Sequence, residues 1–463
     1  MMREERLIVR PFEDIRILDY KSIQVVNEHA RAEVRGRIPF ERREDYIKVG
    51  KRQTWAQVIA LSEGDESTLF YGVIEQLQIE INDGICTVDI SLCSGTQLMD
   101  YEEHIRSFQK ENLTYSSLLD TCSQGYEEPA KIMTEGKGRE IPHFIMQYRE
   151  TDWEFIKRLA AMNHTVIFAD CSTRGEKYHF GIPDRKPDSE EAPGEYRVNY
   201  DMQEYWYKKS RGLTIHTEDT ISYILESREF HKLGERRAID GKETFIWKIE
   251  CFLRGNELYH TCYMKPYVGF QSAPYRNKYI AGVSLLGMVT KVKNEKVQIK
   301  IYSDENKDKS GFCWYSFSTV YSSPNGTGWY CMPEIGDTVR LYFPTSREED
   351  AYVASANHEE GAGLRTNPEC KFWRNKEGKE IRLAPDYILL TNNDGTYIEL
   401  SDDEGINIVS EGSVTVRAEG NLSISSSGAS IEMSAPKKIR LRQGGTEMNL
   451  GGDLSMQGAK IRL

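Results

Sequence analysis

The sequence predicts a mainly β fold in three parts, the last an intertwined trimeric β-prism, and three observations carry that prediction. Within roughly the first 270 residues, two strand-rich groups are separated by helical patterns, a spacing that suggests two similar β-barrels with helical insertions. Residues 280–357 crowd five short strand patterns into fewer than 80 residues, which fits a small Greek-key barrel of the OB type. From Tyr397 to Leu463, two apolar residues flanking a polar one recur nine times.

That recurrence is the strongest signal. The apolar pairs are Ile398/Leu400, Ile406/Ile408, Val414/Val416, Leu422/Ile424, Ile431/Met433, Ile439/Leu441, Met448/Leu450, Leu454/Met456 and Ile461/Leu463. They begin 8, 8, 8, 9, 8, 9, 6 and 7 residues apart. Gly405, Gly412, Gly420, Gly428, Gly445, Gly452 and Gly458 fall between them, where a reversal of the backbone favours positive φ. Residues two apart share one face of a strand, so each repeat is a very short strand with a narrow apolar edge. Such a rung is too thin to wrap a core within one chain, where a closed coil takes about 20 residues. Three copies, each forming one wall of a triangular prism, close the core and leave few strand edges open. An ordinary antiparallel sheet or a fibrous adhesin tail is the alternative.

A chain of 463 residues has room for three or so domains. Its net charge of −12 argues against a partner that is nucleic acid or an anionic membrane. The N-terminal MMREERLIVR is followed by no apolar stretch of secretory type, and no apolar run approaches the ~20 residues of a membrane helix. Nine cysteines without a C-x-x-C pair are expected as reduced thiols in a protein made in the cytosol.

In chain order, Leu7–Val9, Ile15–Leu18, Ile23–Val26 and Ala32–Ile38 read as strands. Leu69–Leu92 reads as two alternating runs turning at Asn82-Asp83-Gly84. Ser107–Cys122 reads as a helix capped by Thr114 or Ser116, and residues 126–142 as a loop. Next comes QYRETDWEFIKRLAAMNHTVIFAD, residues 147–170. A helix starts at Thr151 or Asp152, with Trp153, Phe155, Ile156, Leu159 and Met162 inward and Glu154, Lys157 and Arg158 on the wet face. Strands follow at Thr165–Ala169 and Tyr178–Ile182, then an exposed acidic loop over 183–195. Further strands are expected at Thr214–His216, Ile221–Glu226, Thr244–Phe252 and Glu257–Met264. The small barrel draws on strands at 282–289, Val297–Tyr302, Cys313–Val320, Thr338–Phe343 and Ala351–Ala356.

In this order the parts resemble the hub-and-spike proteins of contractile injection machines: VgrG of type VI secretion and the fused hub and spike of contractile phage tails. Residues 147–159 are similar to the family's Q-Y-x-E-[ST]-D-[FW]-x-F-I-x-R-L, with Gln147, Tyr148, Glu150, Asp152, Trp153, Phe155, Ile156 and Leu159 at the motif positions. Gly328 and Trp329, then Pro333, Gly336 and Asp337, resemble its G-W-x-x-x-P-x-x-G-D-x-V module, with Trp314 upstream. The repeating tail completes the set, although KVKNEKVQIK (291–300) replaces the family's H-x-D-E-x-G-R-V-K-V run.

The resemblance implies a homotrimer with a hub of two tube-like barrels over 1–275, an OB collar over 276–357, a linker and neck over 358–396 and a needle over 397–463. Six barrels around the axis would match a hexameric, Hcp-like tail tube. Baseplate wedge proteins, a PAAR-type tip protein at Lys460, Ile461, Arg462 and Leu463, and a target envelope pierced mechanically are the other implied partners. The particle is expected to assemble in the bacterial cytoplasm and to leave it on firing.

No cofactor and no catalytic or metal residue is expected. There is no H-E-x-x-H or P-loop, and Gly282–Gly287 misses the G-x-S-x-G elbow by one residue. Glu150 and Asp152 are read as favouring the helix dipole, the nine scattered histidines as structural, and Trp314 with Trp329 as collar packing. Two rivals stand beside the spike reading: an envelope- or glycan-degrading enzyme with a β-helical tail, and a passive tail fibre or adhesin.

Overall fold

The computed structural model describes residues 6–49, 54–62, 65–186, 195–358, 363 and 365–460. The fold is mainly β, and the chain divides into Met1–Glu359 and Glu360–Leu463.

The first unit is built on an eleven-stranded sheet. Its first half runs Arg6–Arg10, Trp55–Ser62, Asp65–Asn82, Ile85–Cys93, Arg31–Ile38 and Arg16–Val25. The second half continues through Lys242–Arg254, Glu257–Lys265, Ile221–Ser227 and Arg197–Tyr200, with Arg236–Ile239 beside Lys242–Arg254. The two strand groups expected to form two similar barrels are joined edge to edge, Val25 opposite Lys248 and Lys21 opposite Phe252. Each keeps its own core: Val9, Tyr20, Val34, Phe70 and Ile90 in one, Phe168, Ile239, Ile246, Ile249 and Phe270 in the other. Bulges at Val58/Ile59, Ile74/Gln76 and Ile246/Lys248 increase local twist and let so wide a sheet curl. The Asn82-Asp83-Gly84 signal is a tight hairpin: Asn82 faces Ile85, and Asp83 and Gly84 take φ of 48° and 77°.

Between the two halves lies a helical layer. The helix expected over Ser107–Cys122 is only Tyr115–Cys122, capped by the Thr114 hydroxyl, which accepts from the Ser117 N–H. Upstream, Glu103–Phe108 is a strand, because it finds a partner in Ile145–Thr151. Propensity yielded there to tertiary pairing. Within the expected loop, Ala130–Met133 forms a short strand parallel to Lys177–Phe180. The Thr214–His216 strand is absent, and Met202–Ser210 is a helix not foreseen, begun by the Asp201 carboxylate accepting from the Glu204 N–H at 2.9 Å. Most of the acidic loop, residues 187–194, lies outside the described residues.

Ser284–Lys293, Lys296–Ile301, Tyr315–Ser316, Thr338–Tyr342 and Tyr352–Ala356 make a five-stranded sheet. Counting them one to five, the pairing order is 3-2-1-4-5, and a bridge from Phe317 to Val353 closes three onto five. That is the OB connectivity. Val289, Val297, Ile299, Val339, Leu341, Phe343 and Val353 fill the interior.

The second unit is two antiparallel meanders. One comprises Lys371–Arg374, Glu380–Leu383, Tyr387–Thr391, Tyr397–Ser401 and Gly405–Val409; the other Ile439–Gln443, Thr446–Leu450 and Leu454–Gln457. The stretch expected as linker and neck thus carries three of these strands. Residues 410–438, expected to hold the rungs Val414/Val416, Leu422/Ile424 and Ile431/Met433, form no strand within the chain. Of the glycines expected at positive φ, only Gly405 takes it, because the other reversals run through open bends or, at Gln443–Thr446, through Gly444.

Candidate functional site

The stretch 147–159 forms a joint between the helical layer and the small barrel. Helix Asp152–Met162 begins with a reciprocal cap: the Glu154 N–H donates to the Thr151 hydroxyl and the Thr151 N–H to the Glu154 carboxylate, both at 3.1 Å. Trp153, Phe155, Ile156 and Leu159 are buried as expected. Trp153 packs against the His29 ring at 4.6 Å and edge-on to Tyr178 at 6.2 Å.

Arg158 corrects the reading. Expected on the wet face, it is 1% exposed. Its guanidinium donates through Nε and Nη2 to both Glu150 oxygens, through Nη1 to Glu348 of the barrel, and through Nη2 to the Met146 carbonyl, each at 2.8 Å. A forked donor between two buried carboxylates is the geometry that only arginine supplies. Burial pushes the Glu150 carboxyl up, opposed by Arg158, while Arg158 itself is held more firmly protonated by the two carboxylates despite its burial.

A second cluster surrounds Asp152, which is also buried rather than a simple helix-dipole partner. Its Oδ1 accepts from Arg106 Nη1 at 2.5 Å and Gln147 Nε2 at 3.1 Å, and its Oδ2 from the Tyr126 hydroxyl at 2.9 Å. His104 stands 3.4 Å from Asp152 and 2.8 Å from Glu305 of the barrel. Burial alone would raise Asp152; His104 and Arg106 outweigh it and hold the carboxyl below its usual range. The hydrogen bond to Asp152 holds His104 above its usual value. Asp304 accepts from the Ser107 N–H at 2.9 Å and the Ser310 hydroxyl at 2.5 Å, and Asn277 donates to the Tyr148 carbonyl at 2.6 Å. Tyr148, half-buried, packs on the barrel core. The motif is thus a set of ion pairs and apolar contacts that fastens the helical layer to the small barrel.

In the barrel motif, Pro333 is buried and Gly336 turns the chain at φ 98°, where the Asp337 carboxylate accepts from the Glu334 N–H at 2.8 Å. A Cβ on Gly328 would stand 2.4 Å from the Tyr321 carbonyl oxygen. The tryptophans do not pack the collar as expected. Trp329 is 50% exposed and Trp314 half-buried, and the aromatic of this stretch that is buried is Tyr315, next to Trp314. Tyr315 succeeds because its hydroxyl reaches Gln109 at 3.2 Å, a buried polar partner.

In the second unit the expected apolar pairs fall into register. Trp373, Ile381, Leu390, Ile398 and Ile408 stand opposite one another across five strands, beside Leu383, Ile388, Leu400 and Ile406. Ile439, Leu450 and Leu454, with Leu441, Met448 and Met456, form a second ladder. In the single chain these faces lie open: Ile406 is 69% and Ile408 62% exposed. Val414, Val416, Leu422, Ile424, Ile431 and Met433 are exposed as well. Among the described residues of Glu360–Leu463, no apolar side chain is buried. Of the expected tip-binding residues, Lys460 is exposed, and Ile461, Arg462 and Leu463 lie outside the described residues.

Sequence reading missed the Arg158–Glu348 and His104–Glu305 contacts and the first five ladder residues. Arg158 had a signal, being three residues after Phe155 and four before Met162, in phase with the apolar stripe. Its partner, 190 positions away, had none. All nine cysteines are free thiols. Among the described residues, no group of three or more metal-binding side chains and no helix able to cross a membrane is found.

This architecture, a wide sheet followed by an OB barrel and open-faced meanders, is a known one. No protein-family profile and no curated protein matches the chain by sequence. Among solved structures, a chain of the Francisella PdpA–VgrG complex aligns with a TM-score of 0.59 at 9% identity, over 88% of this chain and 80% of that one. The E. coli c3393 protein aligns with a TM-score of 0.55 at 14% identity, over 76% of this chain and all (100%) of that one. It is described as a component of the type VI secretion system, structurally similar to the T4 bacteriophage tail proteins gp27 and gp5. The chain therefore has the fold of VgrG-type and gp27–gp5-type tail proteins.

Proposed function

We propose that the chain is the central hub-spike subunit of a contractile injection machine and works as a homotrimer. Residues 1–275 are the hub, whose two strand groups per chain place six around a three-fold axis and so meet a hexameric tail tube. The OB barrel (276–357) is the collar, and the neck (358–396) leads into the needle of residues 397–463. Ile398, Leu400, Ile406, Ile408 and their successors through Leu450 line its axis. Baseplate wedge proteins hold the hub, a PAAR-type tip protein sits on residues 460–463, and the envelope is penetrated mechanically, without bond chemistry.

What carries this reading is the pair of aliphatic ladders on a unit with no buried apolar side chain of its own. Long, flat, apolar faces are rarely left to water in a soluble protein. Three copies facing inward bury them and supply strand partners for residues 410–438. Replacing Ile408 or Val416 by Asp then places three carboxylates at the axis and prevents assembly, since buried unpaired charges cost several kcal/mol. Normal assembly of both variants, or failure of the unaltered protein to co-purify with a six-fold tube protein, refutes the proposal.

A further inference from the structure

One feature of the OB barrel has no place in that role. The hairpin joining its first two strands carries Lys293 directly opposite Lys296. Like charges directly opposite each other on antiparallel strands repel and weaken the pairing. Neither lysine, nor Lys291 on the same face, has a carboxylate partner among the described residues, although the chain carries a net charge of −12. Lys300, further along, does pair, with Asp308 at 2.6 Å.

Beside this fork lies a cleft of about 760 Å³, lined by Lys293, Asn294, Glu295, Lys296, Trp314 and Tyr330. Trp314 is half-buried, and Tyr330 is 68% exposed. The Tyr330 hydroxyl donates to the Asn294 carbonyl at 3.1 Å, so the later loop is tied down over the hairpin. Two aromatic rings, two unneutralised ammonium groups, an amide and one carboxylate thus converge. They do so at the first hairpin and the strand 2–3 side of an OB barrel, the part of this architecture suited to extended ligands.

We infer that this cleft is a binding site for an acidic oligosaccharide. Trp314 and Tyr330 offer platforms for the apolar faces of pyranose rings. The Lys293/Lys296 fork takes a carboxylate or phosphate substituent, and Asn294 and Glu295 offer hydrogen bonds to hydroxyls. A single-stranded polyphosphate fits less well: it brings a charge at every step past Glu295 into the field of an acidic protein. A glycan with spaced anionic groups needs one fork. A ligand anion between the lysines would also relieve their repulsion.

The full-length protein in its native assembly is titrated with hexagalacturonate, uncharged cellohexaose and a short oligothymidylate, following heat or tryptophan fluorescence. The expected order is hexagalacturonate first and cellohexaose at least about tenfold weaker, the size of one lost charge-assisted contact. Lys293→Gln with Lys296→Gln weakens hexagalacturonate by about tenfold or more. Tyr330→Ala weakens both sugars, and Lys278→Gln, a surface lysine away from the cleft, changes neither. None of these variants alters the mass of the assembly, so the site and the trimer stand or fall separately. Absence of hexagalacturonate binding, equal affinity for cellohexaose, equal or tighter binding of oligothymidylate, or indifference to the double substitution overturns the inference.

Discussion

The two units of this chain solve the problem of burying apolar surface in opposite ways. Residues up to Val353 enclose Trp153, Phe155, Tyr20, Phe343 and dozens of other side chains within one polypeptide, and even bring a guanidinium inside between two carboxylates. Beyond residue 363 the aliphatic side chains of 371–409 and 439–457 stand in strand register, yet among the described residues there every aliphatic side chain stays at least partly in water. Sheets with a single layer have nothing to close against. The first unit closes its core within one chain; the second leaves its ladder faces open in the single chain.

The largest expected effect tests the ladder itself. Ile398→Asp abolishes assembly, whereas Asn407→Asp, on the opposite face of the same sheet, leaves it intact; sedimentation of both variants decides. If Asn407→Asp is the disruptive one, the faces have been assigned in reverse.

Next comes the buried arginine. Arg158→Met leaves Glu150 and Glu348 buried without their partner and lowers the stability of the first unit by about 3–5 kcal/mol. Chemical denaturation measures it. Adding Glu150→Gln and Glu348→Gln to that variant restores much of the loss, since the cost comes from uncompensated charge. Ile156→Ala, in the helical core, costs roughly 2–5 kcal/mol in a manner independent of protein concentration. Leu400→Ala instead shows its effect as a concentration-dependent dissociation.

Acid separates the units more gently. Burial, helped by the nearby His231, depresses the His260 imidazole to about 4, and burial depresses His179 likewise to about 4. A folded value below the unfolded one near 6.5 means their contribution is complete above pH 6.5 and declines as pH falls toward 4. For His260 the full decline is roughly 3 kcal/mol. His104, raised by Asp152, acts oppositely and loses its contribution as pH climbs above 6.5. No histidine lies beyond His358, so between pH 6.5 and 5 the first unit weakens while the ladders hold. Melting followed separately by tryptophan fluorescence and by assembly mass reads the two.

What was legible in the sequence follows the range of the interactions. Period-two beats at 398–408 and 439–456, the turn at Asp83-Gly84 and the cap at Thr151 are local, and each is where the residues place it. The OB strand set was legible because five short runs crowd together. The stitching of Arg16–Val25 to Lys242–Arg254 and the Arg158–Glu348 pair were not, because both join residues about 200 apart with no local mark. The expected helix began too early, at Ser107, because Ser107 and Phe108 end the strand Glu103–Phe108, whose partner lies beyond a 36-residue excursion, from Phe108 to Ile145. Arg158 looked wet because it follows Lys157 directly and charged side chains on a helix are mostly exposed.

The central claim is that the second unit is completed only by other copies of the chain. Sedimentation equilibrium of the full-length protein at micromolar concentration tests it most directly. Three chains of 53.3 kDa, about 160 kDa in all, is the result predicted. A stable particle of a single chain with the ladder faces still protected would contradict it.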